Sequence, residues 1–254
     1  MNSLVSIIIT SYNSESVIER CIASIINQTY SNIEIIMSDD ASEDQTLIVA
    51  KRILQNQSNW TLIENKVNFG GPARGRNQGL KAAKGDFICF CDADDAWLPD
   101  KLEKQVKYLD SSQLDFCGTN CENIGIPNFF SHVGQVLWRQ ELRRNRFPLS
   151  SLIIKEKVLA NKIHFNEAKE FQGVEDYDFV LQLFSKRFNG GVLEERLVNY
   201  YYSSQSLSHQ NKIQHEKRRI IVLRRHRMPN LFMSCYKFWI ILLLKIRIIK
   251  WSLM

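Results

Sequence analysis

The sequence predicts an α/β fold built on a mostly parallel central sheet, with a basic, amphipathic helical tail at its C-terminus. Three observations carry that expectation. Short β-branched runs alternate with segments of helical period through the first 110 residues. Those runs are apolar almost without interruption, the pattern of strands covered on both faces. Charge is partitioned as well. Residues 212–254 hold 11 Lys and Arg against one acid, Glu216, a net +10, so the first 211 residues carry −4 of the chain's +6.

Leu4–Thr10 is the first strand expected from its β-branched content. Ser14 then sits as a helix N-cap before Val17, Cys21, Ile22 and Ile25, which share one face. Ile33–Met37 reads as a second strand ending at Ser38-Asp39-Asp40, Leu47–Gln55 as a helix, and Trp60–Glu64 as a third strand. Asn77–Ala83 reads as a helix that stops at Gly85. Phe87–Cys91 is a fourth strand and Leu102–Leu109 an amphipathic helix. Residues 117–150 show no clear period, and Ser151–Ile154 is a short strand candidate. Tyr177, Val180, Leu181 and Phe184 fall on one face of a helix over Glu175–Phe184, and Tyr200–Tyr202 reads as strand.

Composition excludes several classes. At 254 residues, 44% hydrophobic and 24% charged, the chain matches an ordinary soluble protein with a substantial core. Its six cysteines include no Cys-x-x-Cys pair, which argues against a zinc site and for reduced thiols in the cytosol. No secretory signal is expected, because Leu4–Ile9 lacks a basic leader. The glycines at 70 and 71 do not form the Gly-x-Gly-x-x-Gly fingerprint, so hydride transfer is rejected.

The chemistry concentrates at strand ends, where open α/β sheets bind ligands. Phe87–Cys91 stops abruptly at Asp92, Asp94 and Asp95. Clustered carboxylates repel one another unless a positive charge sits among them. Oxygen-only ligands suit Mg²⁺ or Mn²⁺, and such ions commonly join one or two carboxylates to a substrate's phosphates. The alternative is an acidic loop leading into the helix near Pro99. Thr10-Ser-Tyr-Asn13 and Asp39-Asp40 end the first two strands and converge on the same edge by topology.

In this order and spacing the motifs resemble a family 2 glycosyltransferase, inverting and nucleotide-sugar-dependent, of the bacterial surface-polysaccharide type. The resemblance covers roughly residues 3–205. It rests on Val5–Asn13 with Glu15, Ser38–Asp44, Asn68-Phe-Gly-Gly71, Arg76-Asn-Gln-Gly79, Gly85-Asp86, Asp92–Asp95 with Trp97–Leu102, and Glu175-Asp-Tyr-Asp178. It implies a Rossmann-like glycosyltransferase A-type fold. Residues 1–211 would form the transferase domain, donor half to about 115 and acceptor half beyond, and residues 212–254 the tail.

The resemblance implies roles for individual residues. Thr10 and Tyr12 would contact the nucleotide, with Tyr12 stacking on or walling the base. Glu15 would either cap a helix or join them. Asp39 or Asp40 would accept a uracil N–H, which favours a UDP donor. Arg76 takes the nucleotide-binding arginine's place, where the family usually has Ala-Arg-Asn and this chain has Gly75-Arg76-Asn77. Arg74 reads as surface charge. Asp92 would contact ribose and help the metal, and Asp94 would ligate it, while Asp95 opens the following turn. Asp176 would be the catalytic base with Glu175 as its orienter, and Asp178 an ordinary acid favoured by the helix dipole. Late in the chain, His209 reads as a lone surface residue.

The expected partners are a UDP-linked sugar and a saccharide or polyprenyl-linked saccharide acceptor. Peripheral membrane contact is expected through residues 217–254, whose apolar run is interrupted by Lys237, Lys245, Arg247 and Lys250 and is too short to span a bilayer. That places the protein at the cytoplasmic face of the inner membrane or in the cytoplasm. No nucleic acid is expected, since no reading motif accompanies the charge. Two rivals remain: a non-catalytic nucleotide-sugar-binding module, and a nucleotidyltransferase, which would need a Gly-rich phosphate loop that residues 10–20 lack.

Overall fold

A computed structural model describes residues 3–124, 132–201 and 212–252. The first half follows the predicted alternation. Strands β1 (Val5–Ser11), β2 (Ile33–Asp39), β3 (Trp60–Glu64) and β4 (Phe87–Asp92) pair in parallel in the order β3-β2-β1-β4. Alternation along β1 feeds two cores. Val5, Ile7 and Ile9 pack with Ile18, Cys21, Ile22 and Ile25 of α1 (Ile18–Ile26) and with Ala50 and Leu54 of α2 (Thr46–Leu54). Ile8 faces the other way, toward Ala73 of α3 (Pro72–Ala82) and toward Phe90.

The second half departs from a mostly parallel sheet. Strand β8 (Ile153–Lys155) adds antiparallel to β4, and β6 (Phe116–Ile124) antiparallel to β8. Strand β9 (Gly190–Tyr201) runs parallel to β6 and is flanked antiparallel by β5 (Ala96–Trp97) and β7 (Gly134–Val136). The sheet is therefore mixed, parallel only in its nucleotide-half strands and again between β6 and β9. Helix α4 (Lys101–Ser111) covers the α1 side. Helix α6 (Glu175–Ser185) covers the other, through Phe179, Val180 and Leu183.

The tail is two helices, α7 (Lys212–Arg225) and α8 (Leu231–Ser252). They pack as a third apolar layer in which Ile220, Leu223, Ile240 and Leu244 meet Leu142 of α5 (Trp138–Arg143) and Tyr177 and Leu181 of α6. The tail is thus a packed helical pair, and one face of α8 stays outside, with Phe238, Trp239, Leu243 and Ile246 each more than half exposed.

Local predictions needed correction at two places. Ser14 does not cap α1: its hydroxyl bonds the Tyr12 carbonyl, and the N-cap residue, Val17, offers no side-chain bond. Helix α3 begins at Pro72, five residues before the predicted start, because proline suits the first helical turn. It lies close on the sheet because Gly75 and Gly79 face it. A Cβ on Gly79 would come 2.4 Å from the Ile8 side chain, and one on Gly75 would come 3.1 Å from Ser38 Oγ. The departure from the family's alanine at Gly75 leaves α3 unbroken.

Candidate active site

The C-terminal edges of β1, β2 and β4 meet as predicted. Thr10 lies in register with Ser38 on one side and with Asp92 on the other. They open into a cleft of about 1130 Å³ that continues under α6 and α7. That exceeds a typical single-ligand pocket of ~300–1,000 Å³ and leaves room for two substrates. Thr10, Tyr12, Asp40, Arg76, Asp92 and Asp94 line it together with Glu175 and Asp176.

A charged bridge joins Asp92 to Glu175. Arg76, 4% exposed, donates from Nη1 to Glu175 Oε1 and from Nη2 to Asp92 Oδ1, both at 2.7 Å. Those two carboxylates hold its guanidinium firmly charged, against the effect of burial. Its Nε is buried without a hydrogen-bond partner among the described residues. Glu175 Oε2 accepts the Gly173 N–H at 2.6 Å, so this carboxylate is held from both sides. The start of α6 is thereby fixed to the end of β4 through Arg76 of α3, 99 residues before Glu175.

Asp94 stands differently. Burial and neighbouring Asp92 push its carboxyl up to about 6, and nearby Arg20 and Arg76 only partly oppose them. Arg20 bonds the Asp94 carbonyl oxygen at 2.7 Å rather than its carboxylate. A half-compensated carboxyl pair at the cleft wall is an electrostatic setting that a divalent cation would relieve. Among the described residues no group of three or more His, Cys, Asp or Glu could hold a metal alone. Two carboxylates completed by substrate phosphate and water is nonetheless a common Mg²⁺ arrangement. The donor set therefore fits a hard cation bound together with a diphosphate.

Asp176 lines the same cleft. Burial and the adjacent Glu175 push its carboxyl up to about 7, with Arg76 opposing. Its Oδ2 accepts from Asn145 Nδ2 at 3.1 Å. A carboxylate poised near neutral pH, oriented by an amide and exposed to a cleft, has the attributes of a general base.

Two predicted contact residues lie elsewhere. Asp39 is fully buried and saturated by the hydroxyls of Ser11 and Ser42 and by the Ser42 N–H. It scaffolds the loop, while Asp40 reaches the cleft wall and accepts the N–H groups of Phe69 and Gly70. Glu15 is not among the cleft residues, because its carboxylate accepts the Gln45 N–H at 2.9 Å. Asp95 is buried, accepting from the Ser150 hydroxyl at 2.5 Å and from the Tyr201 N–H at 3.2 Å, and so pins β4 to β9. Asp178 is no solvated dipole acid: it is fully buried and meets His226 Nε2 at 2.9 Å. Arg74 stacks on Phe69, 3.8 Å from the ring centroid. His209 lies outside the described residues.

Sequence reasoning missed Asn145, Arg144, Arg146 and Arg219, all of which line the cleft. The run Arg143-Arg144-Asn145-Arg146 was visible as charge but had no period to place it.

Comparisons with known proteins give the family and the fold. The family model described as "Glycosyl transferase family 2" matches residues 6–166. A UDP-Glc:alpha-D-GlcNAc-diphosphoundecaprenol beta-1,3-glucosyltransferase of Escherichia coli, WfgD, is 32% identical over 226 residues, spanning 87% of this chain and 85% of its own. A second E. coli enzyme of the same description, WfaP, is 32% identical across 78% of this chain and 76% of its own. In fold, the chain is similar to S. aureus TarS 1-349 in complex with UDP-GlcNAc, with a TM-score of 0.76, 22% identity, and coverage of 93% of this chain and 70% of that one. The mannosyltransferase PcManGT from Pyrobaculum calidifontis, solved with GDP-Man and Mn²⁺, has a TM-score of 0.67 at 19% identity, covering 97% of this chain and 70% of that one.

Proposed function

This chain belongs to glycosyl transferase family 2, and we propose that it is a metal-dependent, inverting enzyme. It moves a sugar from a UDP-linked donor to a saccharide on a lipid-linked acceptor, as in bacterial surface-polysaccharide assembly. The observation that carries the reading is the pairing of Asp92/Asp94 with Asp176 across one cleft, through the Arg76–Glu175 bridge. The two E. coli relatives support a UDP donor and a diphosphate-linked acceptor.

In this reading the donor's nucleotide lies along the ends of β1 and β2. Tyr12, about half exposed, forms an aromatic wall for the base, and Thr10 and Asp40 contribute polar contacts at the cleft wall. Asp92 and Asp94 would hold Mn²⁺ or Mg²⁺, which would supply Lewis-acid neutralisation of the charge on the departing diphosphate. Arg76 serves the donor mainly by fixing Asp92, since both its Nη atoms are already engaged. Asp176, aligned by Asn145, takes the proton of the acceptor hydroxyl as its oxygen attacks the anomeric carbon from the face opposite the leaving UDP. The configuration inverts. Glu175 positions Asp176 as its chain neighbour, anchored to Arg76 and the Gly173 N–H.

Residues 1–115 form the donor half, residues 116–211 the acceptor half, and residues 212–254 the membrane-facing part. No helix among the described residues is long and apolar enough to cross a membrane. The outward face of α8 presents Phe238, Trp239, Leu243 and Ile246 beside exposed Lys245, Arg247 and Lys250. That combination suits an anionic leaflet at the cytoplasmic face of the inner membrane.

Replacing Asp176 with Asn tests the catalytic assignment. UDP affinity should stay at the wild-type value while acceptor-dependent UDP release falls by about 10²–10⁴, the usual contribution of a positioned base. Transfer at the wild-type rate would remove Asp176 from the mechanism.

A further inference from the structure

The acceptor end of the cleft carries more positive charge than the chemistry above uses. Arg144 and Arg146 flank Asn145, whose amide holds Asp176, and Arg219 enters the same cleft from α7. Arg146 and Arg219 are anchored in place by backbone carbonyls. Arg146 Nη1 donates to the Gln140 and Arg144 carbonyls at 2.5 and 3.2 Å, and Arg219 Nη2 to the Arg143 carbonyl at 3.1 Å. The Arg146 Nε is buried and has no partner among the described residues.

The acids nearby, Asp176 beside Asn145 included, balance this cluster only in part. Glu141 is fully buried beneath it, accepting the Arg146 N–H at 3.0 Å, and burial pushes its carboxyl up to about 8, so it is mostly neutral at pH 7. Glu216 is shared between Arg219 and Arg247 at 2.8 and 2.9 Å. Partial desolvation of an otherwise exposed side chain, together with the positive charges of Arg146 and Arg219, holds Arg144 below the ordinary arginine value. Arginines pressed together beside a cleft are what a phosphate-bearing ligand would relieve, through charge-assisted and bidentate hydrogen bonds.

Resting on the reading of Asp176 as base, we propose that Arg144, Arg146 and Arg219 form an anion site that grips the diphosphate of a lipid-linked acceptor and so sets acceptor class. The Asn145–Asp176 bond places this site next to the base, so a sugar carried directly on the diphosphate reaches Asp176 with its hydroxyl. Arg219 also points to the lipid. It sits on α7, which packs against α8, whose outward face is apolar and basic. The head group's site and the proposed membrane-facing surface therefore belong to one helical pair.

Equilibrium binding tests this without turnover. Full-length protein saturated with UDP and Mg²⁺ is titrated with undecyl diphosphate, with undecyl maltoside as a neutral head on the same chain, and with a short glycerol-phosphate oligomer. The wild type should bind undecyl diphosphate at least tenfold tighter than the maltoside, more weakly as salt rises. Arg144→Gln and Arg219→Gln should each lose roughly tenfold for the diphosphate alone, the scale of one hydrogen bond to a charged group. Arg144→Lys should recover part of that loss. Arg144 is exposed, so its variants should melt with the wild type and report binding rather than folding. Equal affinity for diphosphate and maltoside, or an unchanged Arg144→Gln, would overturn the anion site. Oligomer binding as tight as the lipid would overturn the lipid assignment. Neither result touches the base reading, which is read from transfer by Asp176→Asn.

Discussion

Replacing Arg76 with Ala should destabilise the whole domain, and the size follows from what it strands. Arg76 and Glu175 are both nearly inaccessible, and Asp92 is about one-third exposed at its side chain. Truncation leaves Glu175 buried with only the Gly173 N–H to satisfy it. Removing one partner of a buried ion pair generally costs about 3–5 kcal/mol. That is a large share of the ~5–15 kcal/mol that holds a domain folded. At roughly 2–4 °C per kcal/mol for a chain of this size, Tm should fall by about 6–20 °C. Arg76→Ala/Glu175→Gln should recover much of the loss, because a neutral amide no longer needs a counter-charge. Urea melts of the four proteins of this cycle measure all of it. A single variant within 1 kcal/mol of wild type, or a double variant no better than the single, would refute the bridge as a structural element.

Other outcomes follow from the same coordinates. Because Asp176 is held near 7 by burial and Glu175, kcat/KM should climb with pH up to about 7 and then level, and Asp176→Asn should abolish the ascending limb; a rate flat from pH 5.5 to 8 would contradict it. Trp239→Gln/Leu243→Gln/Ile246→Gln should lose flotation with anionic vesicles while keeping Tm, since all three side chains are exposed whereas Ile240 and Leu244 pack inside. Unchanged flotation would remove α8 from the membrane. Gly79→Ala should destabilise by about 1–3 kcal/mol through contact with Ile8, despite alanine's better helix propensity. Denaturant melts check this, and a stabilised variant would contradict the packing.

The donor half was legible because its chemistry is local. Apolar runs such as Ile7–Ile9 and Phe87–Cys91 announce buried strands, and their last residues must then lie at one edge. The acceptor half was not, because its order comes from partners far along the chain. Strand β9 begins at Gly190-Gly191 and carries Glu194 and Glu195, residue types that strands generally disfavour. It is a strand because β6, β5 and β7 all pair with it. Residue type also misled where burial decides role. Asp39 and Asp40 are identical in sequence, and only the Ser11 and Ser42 hydroxyls distinguish scaffold from cleft wall. Asp178 gave no sign of His226, 48 residues away, nor Asp176 of Asn145. The tail's interrupted apolar run suited either an interfacial or a packed helix, and α8 has one packed face and one exposed face.

The most direct test of a metal-dependent nucleotide-sugar transferase is nucleotide release from a panel of nucleotide sugars. It would be run with Mn²⁺ or Mg²⁺ and then with EDTA, on wild type and Asp94→Ala. We expect release from one UDP-sugar, slow in water and faster with acceptor, abolished by EDTA and by the substitution. Release that survives both EDTA and Asp94→Ala would contradict the metal site, and a protein that binds no nucleotide with either metal would contradict the transferase itself.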